Sequence, residues 1–169
     1  MIYGENNIKY LQSDFDFDIN YISSQILKSD TEYSYIVCLP RGGLIPGVYL
    51  SHRLGIPLIS LDWWTLNPWI PKDLEKGLKI LLCEDIIDSG NTIAKLLQDW
   101  QNLISTKLNT NNIHLCSIIY NTETVSPVSL LNRYCANYIE RSNINPKRFV
   151  PVSSRYAESP VYYYTENKL

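Results

Sequence analysis

The 169-residue chain lacks several things that would each point to a class of protein. No apolar run reaches the roughly 18 residues that a membrane-spanning helix needs, so no membrane association is expected. There is no excess of basic residues. Lys and Arg number 15 against 17 Asp and Glu, a formal charge of -2. Broad nucleic-acid binding needs a basic surface, so no nucleic-acid partner is expected. No Cys-x-x-Cys pair occurs among Cys38, Cys83, Cys116 and Cys135, and the two histidines, His52 and His114, stand far apart. That excludes the usual spacings of a zinc site. Three of the cysteines sit in apolar, strand-like runs and read as small buried hydrophobes of a reducing cytoplasm. The opening residues, Met1 to Asn7, have neither a basic nor an apolar leader region, so no secretory signal is expected.

What is present is one domain's worth of core-forming sequence. Hydrophobic residues make up 45% and charged residues 19%, which excludes a disordered chain. Phe15, Ile19, Ile22 and Ile26 recur at helical spacing after Ser13-Asp14, predicting a helix over 14–28. Tyr35 to Leu39 reads as a strand, halted by the turn signal Pro40-Arg41-Gly42-Gly43. Leu44 to Leu54 suits a helix closed by Gly55, and 57–61 reads as a strand. Ile80 to Cys83 is a buried-strand candidate. A helical stripe of Ile93, Leu96, Leu97, Trp100, Leu103 and Ile104 follows, then a strand from Ile113 to Tyr120. Helices alternating with apolar strands predict an α/β fold with a parallel sheet flanked by helices. Ligands of such sheets bind at the carboxyl ends of the strands, here after Leu39 and after Cys83. Two segments resist the pattern. Residues 61–78 carry Trp63, Trp64 and Trp69 without a period, and 140–169 are irregular and rich in proline and tyrosine. Each reads either as surface loop with packing aromatics or as a flap over the strand ends.

The segment Glu84-Asp85-Ile86-Ile87-Asp88-Ser89-Gly90-Asn91-Thr92 carries the chemistry. Its paired carboxylates at a strand end suit a divalent cation or the hydroxyls of a sugar. The small residues and hydroxyls from Ser89 to Thr92, entering a helix, suit a phosphate. No Gly-Lys-Ser/Thr is present, so it is not a Walker loop. The pattern describes a hydroxylated sugar with a terminal phosphate.

These nine residues resemble the phosphoribosyl-pyrophosphate (PRPP) signature of type I phosphoribosyltransferases, in the form closest to the 6-oxopurine branch (hypoxanthine, guanine, xanthine). Pro40 to Gly47 is similar to the pyrophosphate loop of bacterial xanthine-guanine phosphoribosyltransferases. The resemblance covers a core of about 8–122 well and 123–169 poorly. It implies one phosphoribosyltransferase domain over 1–169, with a mobile loop at about 61–78 that closes over the site and a C-terminal hood at about 140–169. The implied activity is Mg²⁺-dependent transfer of a phosphoribosyl group from PRPP to a purine-like nucleobase, in a cytoplasmic homo-oligomer, dimer or tetramer.

The resemblance also implies roles residue by residue. Glu84 and Asp85 hold the ribose hydroxyls, directly or through Mg²⁺. Asp88, Ser89, Gly90, Asn91 and Thr92 hold the 5-phosphate. Arg41 and the Gly42 backbone hold pyrophosphate, and the peptide leading into Arg41 is often cis. Asp88 exchanges a proton with the base near its N7. Asn121 stands where the family carries a base-reading Lys, and is either a base reader or a strand-end turn residue. Tyr156, Ala157 and Glu158 resemble the hood's base-binding segment, with Phe149 a competing aromatic for stacking. Two alternatives stay open: a sensor of PRPP or nucleotides on the same fold, and an enzyme for a modified or 7-deazapurine base.

Overall fold

A computed structural model describes residues 11–139. The positions Phe149, Tyr156, Ala157 and Glu158, and the hood they were expected to form, lie outside the described residues. Among the described residues no helix is long and apolar enough to cross a membrane.

Five strands form one parallel sheet: β1 (Tyr35–Cys38), β2 (Leu58–Ser60), β3 (Ile80–Ile87), β4 (Ile113–Asn121) and β5 (Asn132–Ile139), in the order β2-β1-β3-β4-β5. Helices α1 (Gln12–Lys28) and α2 (Leu44–Leu54) cover one face. Helices α3 (Trp69–Glu75) and α4 (Asn91–Asn102) cover the other. The apolar runs that become β1, the first half of β3 and β4 are buried on both faces, whereas the edge strand β2 is only partly covered. Ile36, Cys38, Leu81, Cys83 and Cys116 pack toward α1 and α2. Tyr35, Val37, Leu82, Leu115 and Trp100 pack in the opposite core. All four cysteines are buried free thiols.

The predicted helix at 14–28 begins earlier, at Gln12, because the Asp14 carboxylate reaches back to accept the Leu11 N–H at 2.9 Å. Asp14 is thus a first-turn residue and not the cap. Helix α2 ends as expected on Gly55, which takes the left-handed conformation (φ 67°) that a residue without Cβ adopts freely.

The segment 61–78, expected to be one long loop, is not continuous loop. Its second half is α3, whose Ile70, Pro71 and Leu74 are buried. Pro71 sits in the first turn, where its missing N–H costs no helical bond. The Trp100 indole donates to the Leu66 carbonyl at 2.8 Å, and Asn112 donates to the Leu74 carbonyl at 3.2 Å. The turn at Trp63–Thr65 is exposed, and it is held by Asp62, which accepts from the Trp64 N–H and the Thr65 hydroxyl, each at 2.9 Å. Those bonds hold the Asp62 carboxyl below its usual range.

This anchoring has a measurable consequence. Leu74→Ala removes a fully buried side chain and is expected to cost about 2–5 kcal/mol in urea unfolding. Trp64→Ala, at a residue 96% exposed, is expected to change stability by no more than about 0.5 kcal/mol. A small loss for Leu74→Ala would mean that 66–78 is not part of the core.

Candidate active site

The strand order reverses direction between β1 and β3, the position where open parallel sheets bind ligands. The loops leaving these strands meet there. The Leu39 N–H donates to the Cys83 carbonyl at 2.9 Å, carrying the β1–β3 pairing one residue past the end of β1. The chain then turns through a cis Pro40–Arg41 peptide, as the resemblance implied. Gly42 and Gly43 press directly onto β3. A Cβ on Gly43 would fall 2.2 Å from the Cys83 carbonyl oxygen, and one on Gly42 would fall 2.2 Å from Oδ1 of Asp85. At Gly43 the neighbour is backbone and only glycine permits the approach; at Gly42 a Cβ would displace the Asp85 carboxylate. Arg41 is exposed beside them.

Glu84 and Asp85 do not lie in a loop after Cys83, as expected from the sequence, but inside β3, which continues to Ile87. The apolar residues that follow, Ile86 and Ile87, keep the chain paired with β4. Leu81 and Cys83 face α1 and α2, yet Ile86 joins that same cluster and Ile87 the opposite one. Side-chain alternation therefore slips by one across the two carboxylates. Their local amides are satisfied by the carboxylates themselves: Asp85 N–H to Glu84 Oε1 at 3.2 Å and Ile86 N–H to Asp85 Oδ1 at 2.8 Å. Both side chains are half-buried. Burial, and then the neighbouring Asp85, push the Glu84 carboxyl up to about 8. Among the described residues no three His, Cys, Asp or Glu side chains gather as a metal site, so a divalent cation held by this adjacent, partly desolvated pair would take its remaining ligands from substrate oxygens and water.

Past Ile87 the chain enters the third part of the site. Gly90 takes a left-handed conformation (φ 80°) and caps α4, so the first amides of α4 follow Ser89 and Gly90 directly. The first-turn N–H groups and the positive end of the helix dipole are the features by which a helix start can receive an anion. Asn91 and Thr92 are exposed there, and the Asn91 N–H bonds Ser89 Oγ at 3.3 Å. The Asp88 carboxylate accepts from the Asn121 side chain at 3.1 Å.

Three parts of the site escaped the sequence reading. The Trp63 indole N–H reaches the Pro40 carbonyl at 3.4 Å, so the exposed turn borders the loop after β1. The loop after β4 backs this helix start: Val125 N–H donates to the Ser89 carbonyl at 2.9 Å, and Thr124 and Val128 stand against Gly90. Arg133, on the unforeseen strand β5, stacks its guanidinium over the Tyr120 ring at 4.4 Å and donates to the Ser129 carbonyl at 3.2 Å. Nothing in the local sequence of this loop signals these contacts.

No family model matches the chain. Solved structures do. A hypothetical protein from Neisseria gonorrhoeae with bound ppGpp superposes with a TM-score of 0.62 at 16% identity, over 83% of this chain and 87% of that one. A purine phosphoribosyltransferase from Pyrococcus horikoshii gives 0.55 at 19% identity, over 80% and 89%. A hypoxanthine-guanine-xanthine phosphoribosyltransferase gives 0.60 at 17% identity, over 96% and 97%. The fold of this chain is therefore the one found in purine phosphoribosyltransferases, the class whose signature its residues resemble.

The raised Glu84 carboxyl sets a pH dependence. A folded-state value above the unfolded one means the folded protein holds the proton more tightly. Stability from this group is complete below about 4.5 and is lost as pH rises through about 8. Glu84→Gln mimics the protonated form. Without divalent metal, it is expected to melt higher than wild type at pH 9 and together with it at pH 5. Equal melting temperatures at both pH values would show that Glu84 is not desolvated.

Proposed function

We propose that this protein is an enzyme that transfers the phosphoribosyl group of PRPP to a purine or purine-like base, forming a nucleoside 5′-monophosphate and pyrophosphate. The observation that carries this reading is the seam between β1 and β3, where Gly42 of the cis-peptide loop abuts the Asp85 carboxylate. A pyrophosphate on the Arg41–Gly42 loop and a ribose on Glu84 and Asp85 would then be neighbours. The anion site of Ser89 to Thr92 supplies the third anchor, for the 5-phosphate. The carboxylate pair suits Mg²⁺, which would neutralise charge on the departing pyrophosphate.

In this reading the C1–oxygen bond to pyrophosphate breaks, and the pair of electrons leaves with pyrophosphate. A base nitrogen forms the new bond to C1. Arg41, exposed on the same loop, is assigned the stabilisation of the negative charge that grows on the leaving group. Asp88 accepts the proton that the base gives up. Assembly as a homo-oligomer and a cytoplasmic location belong to the same proposal, from the resemblance alone.

A second reading, a nucleotide sensor on the same fold, is favoured by one observation: the Neisseria neighbour was solved with ppGpp. A screen of guanine, hypoxanthine, xanthine, adenine and 7-deazapurine bases with PRPP and Mg²⁺ separates the two. Release of pyrophosphate with at least one base is expected; binding of nucleotides with no release for any base would favour the sensor. With the best base, Asp88→Asn keeps the shape of the side chain but cannot take the proton. It is expected to lower kcat by roughly 10²- to 10⁴-fold. An unchanged kcat would remove Asp88 from the chemistry.

A further inference from the structure

Asn121, at the end of β4, read from the sequence as either a base reader or a strand-end turn residue. In the structure its side chain is turned toward Asp88. Ile87 and Tyr120 are partners in the β3–β4 register, so the next residues, Asp88 just past β3 and Asn121 at the end of β4, stand side by side. Asn121 is 1% exposed. Its amide nitrogen donates to Oδ1 of Asp88 at 3.1 Å, and its carbonyl accepts the Glu123 N–H at 3.0 Å. These two bonds fix the orientation of the amide. Rotating it by half a turn would set its oxygen against a carboxylate and its NH₂ against a backbone N–H, losing both bonds. Its carbonyl is taken and one of its two amide protons is committed to Asp88, so it is the near-complete burial of the side chain, and not a lack of donors, that keeps it from a ligand. The same loop holds the chain beside Asp88 in place, through Val125 N–H to the Ser89 carbonyl.

We propose that Asn121 is a positioning residue that orients the Asp88 carboxylate for proton transfer, and that it does not read the substituent at the purine 6-position. This rests on the phosphoribosyltransferase reading above. The hydrogen bond removes rotational freedom from Asp88 before the base arrives. Misplacing a reacting group by about 1 Å can cost on the order of 100-fold in rate. Selection of the 6-substituent then lies with residues other than Asn121.

The test is a double-mutant cycle. Asn121→Ala and Asn121→Ser are made in wild type and in Asp88→Asn, and kcat and KM for the base are read from pyrophosphate release. In wild type, kcat is expected to fall roughly 10- to 100-fold with KM for the base unchanged. In Asp88→Asn, neither substitution should lower kcat further, because the group they act through has lost its function. The preference between 6-oxo and 6-amino purines should stay the same. A raised base KM, an altered preference, or the same fold loss in both backgrounds would overturn the proposal. A second readout does not depend on the variants of Asn121 folding. The side-chain amide resonances of Asn121 should move in Asp88→Ala and stay in place when free base is added. The reverse would make Asn121 a base contact. A wild type that releases no pyrophosphate with any base overturns the catalytic reading and this role with it. That outcome is distinct from an active enzyme with additive variants, which overturns this role alone.

Discussion

The site depends on one steric constraint, the contact of two glycines with strand β3. Hydrogen bonding of Leu39 to the Cys83 carbonyl brings the end of β1 against β3, and the chain must then leave without retreating from it. Gly43 lies on the Cys83 carbonyl and Gly42 on the Asp85 carboxylate, each closer than any side chain would allow. A Cβ on Gly43 would push the Arg41 loop off β3, and one on Gly42 would push the Asp85 carboxylate aside. The approach also explains part of the electrostatics. Packing of the loop over β3 removes water from Glu84, whose carboxyl is raised first by burial and then by Asp85.

A second wall stands opposite. The loop from Asn121 to Leu131 is braced from below by Tyr120, whose hydroxyl meets Thr124, and by Arg133 from β5. From that base it supports Gly90 through Thr124 and Val128, Ser89 through Val125, and Asp88 through Asn121. Three consecutive residues before α4 are thus set by one neighbouring loop. The carboxylates on β3 stand between this wall and the Arg41 loop, so both sides of the site converge on a single strand. Preorganisation of this kind lets charge develop in a reaction without the surroundings having to rearrange.

The elements that were legible in the sequence are those whose burial leaves a period. Strands β1, β3 and β4 are continuous apolar runs, and α4 shows its stripe from Ile93 to Trp100. The motif from Glu84 to Thr92 was legible because its residue types suit only a few ligands. Other features were hidden for physical reasons. Strand β5 alternates poorly because its polar residues are satisfied by tertiary partners: Asn137 donates to the buried Asp18, and Arg133 lies over Tyr120. Helix α3 is seven residues long and contains a proline, so neither period nor propensity marks it. The end of β3 was placed too early because two carboxylates normally signal a strand's exit, whereas here a slip in alternation keeps them paired and half-buried. The direction of the Asn121 amide depends on the register of β3 against β4, which composition does not carry.

Calorimetric titration of the protein with PRPP reads out whether the β1–β3 seam binds it. With Mg²⁺ present, wild type should bind one PRPP per chain, and binding should weaken sharply when the metal is chelated. The double variant Glu84→Ala with Asp85→Ala should show no Mg²⁺-dependent binding while keeping a cooperative thermal transition. PRPP affinity that is the same in the double variant as in wild type would contradict the account.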